Sequence, residues 1–251
     1  MLKLWRKYEE VALKSILITY LLYSHNKLAL VVLVKSYQNL VLLQNLYRLK
    51  SIGFEYIDHF NMNETSSYAQ PRSLQELTAN INSCHLCDLS KSRQQSMSGY
   101  GSDNASLMFI DYSVSQAQDS SNDYYAGRSG ATLKNMIEKV LMLQLNDIFL
   151  THSIKCKPLN SNLPSLSEFN SCKNYLFTQI EFIQPKVIVT LGEEAYKHLT
   201  GDADNFHNVR GHVIDFNNTK LVPIYHQSYI LKNPESKKIT MHDLQTIKSL
   251  V

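Results

Sequence analysis

Along most of the chain, short continuous apolar runs alternate with segments in which apolar residues recur at helical spacing. Continuous runs predict buried strands, and recurrence at every third or fourth residue predicts helices that cover them. The alternation therefore predicts a mainly parallel sheet with helices on both faces. The predicted strands are residues 107–110, 148–154, 186–191 and 221–226, and the predicted helices are residues 131–143, 167–183, 192–199 and 241–250.

One further helix is predicted from its N-terminal signal. The sequence Ser73-Leu-Gln-Glu76 has the form of a capping box, which opens a helix running toward Cys84. In parallel sheets of this kind, ligands bind beyond the carboxyl ends of the strands. We therefore expect the functional residues in the loops predicted at residues 111–130, 151–158 and 226–234.

The first 60 residues follow a different pattern. Between Leu13 and Leu21 the apolar residues have the spacing of an amphipathic helix. Lysines interrupt the later apolar stretches, so no run reaches the roughly 18 residues of a membrane-spanning helix. We expect residues 1–60 to form a helical extension packed on the main domain; a membrane-surface helix and a partner-docking arm are the less favoured alternatives. Residues 61–72 are polar and turn-rich and predict a linker, which leaves residues 73–251 as the main domain.

Composition narrows the class of protein. A chain of 251 residues that is 44% hydrophobic can bury a substantial core. Four cysteines are too few for a secreted disulfide scaffold, and no secretory signal is recognisable, so a cytoplasmic location is expected. The net charge of +3 divides into +6 for residues 1–50 and −3 for the remainder. The main domain therefore lacks an overall basic footprint and has only local basic residues, among them Arg128, Lys155, Lys157, Lys232, Lys237 and Lys238.

The cysteines are the strongest chemical signal in the chain. Cys84 and Cys87 are separated by two residues, a spacing that directs both thiolates into one site. Cys156 and Cys172 lie farther along the chain, so a site shared by all four would be closed by the tertiary fold. Spacing alone does not distinguish a zinc ion from an iron–sulfur cluster.

Several motifs occur together in a characteristic order: Cys84-His-Leu-Cys87 with Arg93, Gly99-Tyr-Gly101, Tyr125-Ala-Gly-Arg-Ser-Gly130, Lys155-Cys-Lys-Pro158, Leu191-Gly192, Arg210-Gly211 and His226-Gln-Ser-Tyr-Ile-Leu-Lys232. Over residues 73–251 this order resembles the iron–sulfur uracil-DNA glycosylases, often called family 4. The resemblance implies a three-layer α/β/α fold around a short, mainly parallel four-stranded sheet. It also implies a [4Fe–4S] cluster held by the four cysteines, with zinc as the less favoured alternative.

The resemblance also implies roles for individual residues in flipping and holding a base. Tyr125 stands where the family has a phenylalanine that stacks on uracil, and Arg128 keeps the basic side chain of that loop. His226 matches a histidine that donates to the uracil carbonyl or to a phosphate. The segment that wedges into DNA and contacts its backbone corresponds to residues Tyr229, Leu231 and Lys232.

Two positions depart from the family pattern. The glutamate that the family uses to activate water is replaced by Tyr112, which cannot act as a base near neutral pH. We expect Tyr112 and the second departure, His152, to contact the base or the DNA instead. The asparagine that reads the uracil edge is replaced by His152, which lacks the paired geometry of an amide. Asp111 and Asp119 are the candidate catalytic substitutes, with solvated loop carboxylates as the alternative interpretation.

Two functions from different classes therefore stay open. The first is a DNA glycosylase that flips out uracil and hydrolyses its N-glycosidic bond in base excision repair, with an altered base preference or water-activating group. The second is a catalytically silent iron–sulfur homologue that binds DNA, single-stranded or damaged. In both cases DNA is the expected partner, and the local basic residues named above would cluster and contact it if the sheet is ordered as in the family. A monomer is the expected state. A remote third option is a structural zinc or iron–sulfur protein whose basic N-terminal arm engages a partner or a membrane.

Overall fold

The computed structural model describes residues 71–159, 163–202 and 206–251. The predictions for residues 1–60, and for most of the linker, lie outside the described residues. The described part contains six strands: β1 Tyr100–Gly101, β2 Leu107–Ser113, β3 Phe149–Ile154, β4 Val187–Leu191, β5 Ile214–Phe216 and β6 Thr219–Ile224.

Eight α-helices accompany these strands within the described residues. In chain order they are α1 Leu74–Asn82, α2 Gln116–Ser121, α3 Gly127–Asn135, α4 Leu166–Ile183, α5 Glu193–Thr200, α6 Phe206–Val209, α7 Gln227–Lys232 and α8 Lys237–Leu250. A π-helical segment, Met136–Leu141, continues α3, and short 3₁₀ turns occupy Asp88–Lys91 and Pro234–Ser236.

All strands belong to one sheet in the order β1-β3-β2-β4-β6-β5. The four central strands are parallel, which confirms the predicted parallel sheet. The two edge strands are antiparallel to their neighbours and were not predicted. With two and three residues, β1 and β5 are too short for an apolar pattern to reveal them.

Two apolar clusters cover the two faces of the sheet, because successive residues of a strand point to opposite sides. On the first face Phe109 packs with residues of α3 and α8, including Leu133 and Leu244. On the second face Ile110 packs with residues of α4 and α5, such as Leu176 and Leu199. These layers confirm the three-layer α/β/α architecture.

Capping side chains determine where several helices begin. The hydroxyl of Ser165 accepts from the backbone N–H of Glu168 at 3.2 Å, and the Glu168 carboxylate accepts from the Ser165 N–H at 2.6 Å. Helices α2 and α7 lie in segments that were predicted to be loops. Ser115 caps α2 through a capping box with Gln118, and His226 caps α7. Both capping residues follow strands at the carboxyl edge of the sheet, so the first residues of these short helices lie at that edge.

No helix among the described residues is both long enough and apolar enough to cross a membrane.

Candidate active site and cysteine region

Asp111 and His226 meet at the carboxyl ends of the central strands. Asp111 lies near the end of β2, and His226 follows β6 and caps α7. The His226 Nε2 lies 3.2 Å from Oδ1 and 3.3 Å from Oδ2 of Asp111. Asp111 also accepts from the backbone N–H of Tyr112 at 2.7 Å and from Nε2 of Gln227 at 3.2 Å. The structure thus brings two predicted catalytic residues together.

The other ring nitrogen of His226 is occupied by its own helix. The Nδ1 accepts from the backbone N–H of Ser228 at 3.1 Å and lies 2.6 Å from the Ser228 hydroxyl. A nitrogen that accepts from a backbone N–H carries no proton, so the proton of the neutral ring is on Nε2. The N–H of His226 therefore points at Asp111.

Each member of this pair stabilises the charged form of the other. Burial by itself would raise the pKa of Asp111, but the charge and hydrogen bond of His226 outweigh it and hold that pKa below its usual range. For His226, burial would lower the pKa, and the Asp111 carboxylate overcomes this effect and raises it. Asp111 is therefore ionised at neutral pH although the residue is only 6% exposed.

His152 lies beside this pair and is fully buried. It is the register partner of Asp111 in the β2–β3 ladder, so both side chains point to the same face. Neither of its ring nitrogens has a hydrogen-bond partner. Burial lowers the pKa of His152 to about 4, with Lys155 and His226 acting in the same direction and Asp111 against it. His152 is thus a neutral imidazole with one donor and one acceptor unused.

Aromatic rings form a wall next to His152. The Tyr124 ring lies 5.6 Å from the His152 ring, and the Tyr100 ring lies 5.8 Å from Tyr124 and 5.9 Å from Tyr125. The loop carrying Tyr125 requires glycine at position 130, since a Cβ there would lie 2.2 Å from the Tyr125 carbonyl carbon. Arg128 is exposed in the first turn of α3. Tyr125 and Arg128 therefore lie close together along the chain, and their predicted roles in base stacking and DNA contact stay predictions.

Tyr112, which replaces the family glutamate, occupies the other face of the sheet. Its ring stacks on His198 with centroids 4.9 Å apart, and its hydroxyl donates to the Pro164 carbonyl at 3.4 Å. Burial is the main cause that raises the pKa of Tyr112 to about 12. Its hydroxyl therefore stays protonated and points away from Asp111; its predicted role in base binding stays a prediction.

Asp119 has contacts of a different kind from Asp111. It is 1% exposed, and its Oδ1 accepts from the backbone N–H groups of Gln94 at 3.0 Å and Gln95 at 3.4 Å. These bonds attach α2 to the segment that follows the first cysteine pair. Its predicted catalytic role stays a prediction, and the contacts of its carboxylate are structural.

Three of the predicted DNA-contacting residues lie on α7. Tyr229 is 41% exposed and stacks on Tyr225 with ring centroids 4.6 Å apart, and Leu231 is 37% exposed. Lys232 is exposed in the last turn of the helix. Together these three side chains give α7 a partly apolar, partly basic outer surface next to His226.

All four cysteines line one small cavity, shared by the C-terminal end of α1, the end of β3 and α4. None of them forms a disulfide. Arg93 donates from Nη1 to the Cys156 sulfur at 2.9 Å and from Nη2 to the Cys84 carbonyl at 2.8 Å. The backbone N–H of Lys155 donates to the Cys172 sulfur at 3.4 Å.

The donor set of this cavity suits a soft metal centre, because four thiols converge and N–H groups face two of the sulfurs. As placed, no group of three or more Cys, His, Asp or Glu side chains among the described residues could hold a single metal ion. Burial raises the pKa of the Cys156 thiol to about 11, against the opposing effect of Arg93. Binding a metal would therefore displace protons from the thiols.

Lys155 was expected to contact DNA, and the structure contradicts this. The residue is 1% exposed, and its ammonium group donates to the Thr151 hydroxyl at 2.6 Å, the His152 carbonyl at 2.7 Å and Gln179 Oε1 at 2.5 Å. Sequence identifies the charge of a lysine but not its burial. Lys155 connects β3 to α4 and takes no part in a surface cluster.

Three contributors were missed by the sequence analysis, namely Gln227, Ser228 and Arg93 as hydrogen-bond partners. Gln227 and Ser228 directly follow the predicted His226, and Arg93 belongs to the recognised cysteine motif. Gln227 and Ser228 were missed because they lie in the first turn of α7, a segment that was predicted to be a loop.

The fold and the site define the class to which this protein belongs. Residues 98–245 match the model of the uracil DNA glycosylase superfamily, and the chain belongs to that superfamily. Within it, the chain is similar to proteins named Type-4 uracil-DNA glycosylase. It is 30% identical over 186 residues to that of Sulfurisphaera tokodaii, which covers 71% of this chain and 84% of the relative. The corresponding enzyme of Saccharolobus solfataricus is 30% identical over 176 residues, covering 67% and 82%. That of Thermotoga maritima is 27% identical over 188 residues, covering 73% and 97%.

Proposed function

We propose that this protein is a DNA glycosylase that extrudes uracil from DNA and hydrolyses its N-glycosidic bond in base excision repair. The observation that carries the proposal is the Asp111–His226 pair at the carboxyl edge of the sheet. Its position agrees with the ligand-binding edge of parallel sheets. The similarity to Type-4 uracil-DNA glycosylases supports the choice of substrate.

Asp111 supplies the carboxylate that this reaction needs. Breaking the bond between uracil and deoxyribose leaves a cation-like sugar and a uracil anion. A buried, ionised carboxylate stabilises the sugar cation and can orient the attacking water. Tyr112 does not compete for this role, because its hydroxyl is bonded to the Pro164 carbonyl on the other face.

His226 supplies the hydrogen bond to the departing base. Its Nε2–H donates to Asp111 over 3.2–3.3 Å, longer than the roughly 2.7–2.9 Å of a strong charge-assisted bond. A bond of this length can be shared, so the same N–H could donate to both Asp111 and a carbonyl oxygen of the uracil, where it would stabilise the negative charge that develops on the base. Asp111 keeps the ring oriented throughout.

The neighbouring surface fits a flipped base and its strand. Tyr125 offers a ring for stacking on the base, and Arg128 offers a positive charge to the phosphate backbone. On the other side of His226, the exposed side chains of Tyr229, Leu231 and Lys232 suit insertion into the DNA and contact with its backbone.

We further propose that the four cysteines hold a [4Fe–4S] cluster. All four cysteines line one small cavity, and N–H groups of Arg93 and Lys155 face two of the sulfurs. Thiolates suit both zinc and iron–sulfur centres, and the resemblance to the iron–sulfur uracil-DNA glycosylases favours the cluster. When bound, it would link α1, β3 and α4 and so support the loops on which the active site depends.

A catalytically silent DNA-binding protein is the second candidate, and one observation favours it. Both oxygens of Asp111 already accept hydrogen bonds, from Tyr112 and Gln227, and His226 lies within 3.3 Å of each. A carboxylate with its lone pairs engaged is a poorer base for water. In this alternative the pair would hold the loops in place without turnover.

A strand-cleavage assay on uracil-containing single- and double-stranded oligonucleotides, followed by alkali, separates the two candidates. The enzyme produces abasic sites, and His226→Ala lowers the rate by about a hundredfold or more. His242→Ala is the matched control, because His242 is exposed on α8 and the substitution is the same. Salt-sensitive binding without product on uracil would instead support the silent protein.

Analysis of metal and sulfide in the purified protein tests the cofactor separately. The proposal predicts iron and acid-labile sulfide in near-equal amounts, and a brown colour. Zinc without sulfide would overturn the [4Fe–4S] assignment and leave the glycosylase assay unaffected.

A further inference from the structure

Buried polar atoms without partners gather next to Asp111. Among the described residues, both ring nitrogens of His152 and the Oε1 of Gln227 have no hydrogen-bond partner and no contact with solvent. Each such atom destabilises the folded protein if nothing satisfies it. Both residues adjoin Asp111, His152 as its register partner on β3 and Gln227 as its donor from α7.

The orientation of the Gln227 amide follows from its partner. An ionised carboxylate only accepts hydrogen bonds, so the group facing Asp111 Oδ2 at 3.2 Å is the amide NH₂. The Oε1 therefore points away from the carboxylate and is a hydrogen-bond acceptor without a donor. With the residue 3% exposed and its NH₂ bonded, the amide cannot turn round without losing that bond.

An unsatisfied acceptor discriminates between two classes of nucleobase. Uracil and hypoxanthine carry a ring N–H beside a carbonyl, which can donate to Oε1. Cytosine and adenine carry an unprotonated ring nitrogen at the corresponding edge, which would face Oε1 with a second acceptor. Enzymes that flip a base read this edge by hydrogen bonds.

We propose that Gln227 is a specificity-determining residue that accepts a hydrogen bond from the ring N–H of the extruded base and so selects bases of the lactam class. The proposal rests on the glycosylase function proposed above, since it assigns a residue to the same site. His152 complements it, because a neutral imidazole can donate to the adjacent carbonyl of the base; burial keeps the pKa of His152 at about 4 and the ring uncharged at neutral pH. Gln227 thus supplies the amide acceptor that position 152 lacks.

The test measures binding and does not depend on turnover. Fluorescence anisotropy gives the Kd for single-stranded oligonucleotides that carry one cleavage-resistant 2′-fluorinated nucleotide, either deoxyuridine or deoxycytidine, in the same sequence. We expect the protein to bind the uracil probe about tenfold more tightly. Gln227→Met keeps the length of the side chain and removes the acceptor, so the ratio falls to near one. Gln245→Met on the exposed surface of α8 is the matched control and leaves the ratio unchanged.

A second pair of probes keeps the test decisive if Gln227→Met does not fold. The unaltered protein should bind a hypoxanthine probe more tightly than an adenine probe, because only hypoxanthine carries the ring N–H. Equal affinities within both pairs of probes, or a ratio that Gln227→Met leaves unchanged, would overturn the proposal. Discrimination without cleavage of natural uracil DNA would overturn the glycosylase function alone, and cleavage without discrimination would overturn only the role of Gln227.

Discussion

The cysteine region and the catalytic edge of this protein are built in opposite ways. In the cysteine region, defined by the four cysteines and Arg93, the donors already face sulfurs and backbone carbonyls. At the catalytic edge, defined by Asp111, His152, His226 and Gln227, buried donors and acceptors lack partners. In the first region the donors have acceptors, and in the second several polar atoms lack partners.

Of the two departures from the family pattern, His152 lies in the second region and Tyr112 adjoins it on the other face of the sheet. By the resemblance described above, the cysteine motif is intact, whereas a glutamate and an asparagine are replaced by Tyr112 and His152. The residues expected to support the loops are therefore kept, and residues expected to act on the base are different. A family resemblance in the cysteine region therefore does not show which residue at the catalytic edge performs each step of the reaction.

The largest expected effect comes from removing a cysteine. We expect Cys156→Ala to lose bound iron and to yield an insoluble or unstable chain, because the cluster would tie the end of β3 to the segment carrying Cys87. Iron content and the thermal unfolding midpoint measure the change. Ser171→Ala, which alters the lining of the same cavity, is the control and should retain iron. A soluble, fully folded and colourless Cys156→Ala protein would contradict the account.

Arg93→Met tests whether the cysteine region depends on its hydrogen bonds. The substitution removes donors to the Cys156 sulfur and the Cys84 carbonyl, so we expect the free energy of unfolding to fall by about 2 kcal/mol and iron to be released faster to a chelator. Denaturant titration and chelator kinetics measure both. Lys91→Met is the matched control, since Lys91 is exposed and pairs only with Asp88 on the surface. Equal behaviour of the two variants would show that Arg93 is dispensable.

The pH dependence of stability tests the catalytic edge. Burial lowers the pKa of His152 to about 4 in the folded protein, whereas in the unfolded chain this histidine binds a proton near its ordinary pKa of about 6.5. Lowering the pH from 7 to 5 should therefore cost about 2 kcal/mol of folding stability through His152. His226 acts in the opposite direction: its raised pKa contributes stability below pH 6.5 that is lost as the pH rises through the folded value.

Comparison with His152→Asn isolates the first effect, because His226 is present in both proteins. Urea titrations at pH 7 and pH 5 should show a smaller loss for His152→Asn than for the unaltered protein. His242→Asn, at an exposed site, should behave like the unaltered protein. An identical loss in all three proteins would mean that His152 is protonated in the folded state at pH 5.

Much of the fold could be predicted because its signals are local. Each of the four parallel strands contains a short apolar run, and α4 has both helical spacing and a serine cap. Helices α2 and α7 were predicted as loops, since six polar or mixed residues give no recognisable periodicity. Their starts depend on Ser115 and His226, whose capping bonds appear only when the chain is folded.

The site was predictable where residue type alone implies a role, and not where tertiary contacts determine it. The two-residue spacing of Cys84 and Cys87 indicated a shared site, and all four cysteines do line one cavity. The burial of Lys155 and the bond from Gln227 to Asp111 arise from neighbours that are distant in sequence. The pattern of apolar and polar residues along the chain does not show which distant residues become neighbours.

The central claim is that Asp111, and not Tyr112, performs the work of the missing glutamate. Single-turnover rates on a uracil-containing oligonucleotide test it most directly, with Asp111→Asn and Tyr112→Phe measured side by side. We predict that Asp111→Asn lowers the rate by about a hundredfold and that Tyr112→Phe stays within about twofold of the unaltered protein. A large loss in Tyr112→Phe with an unchanged rate in Asp111→Asn would contradict the account.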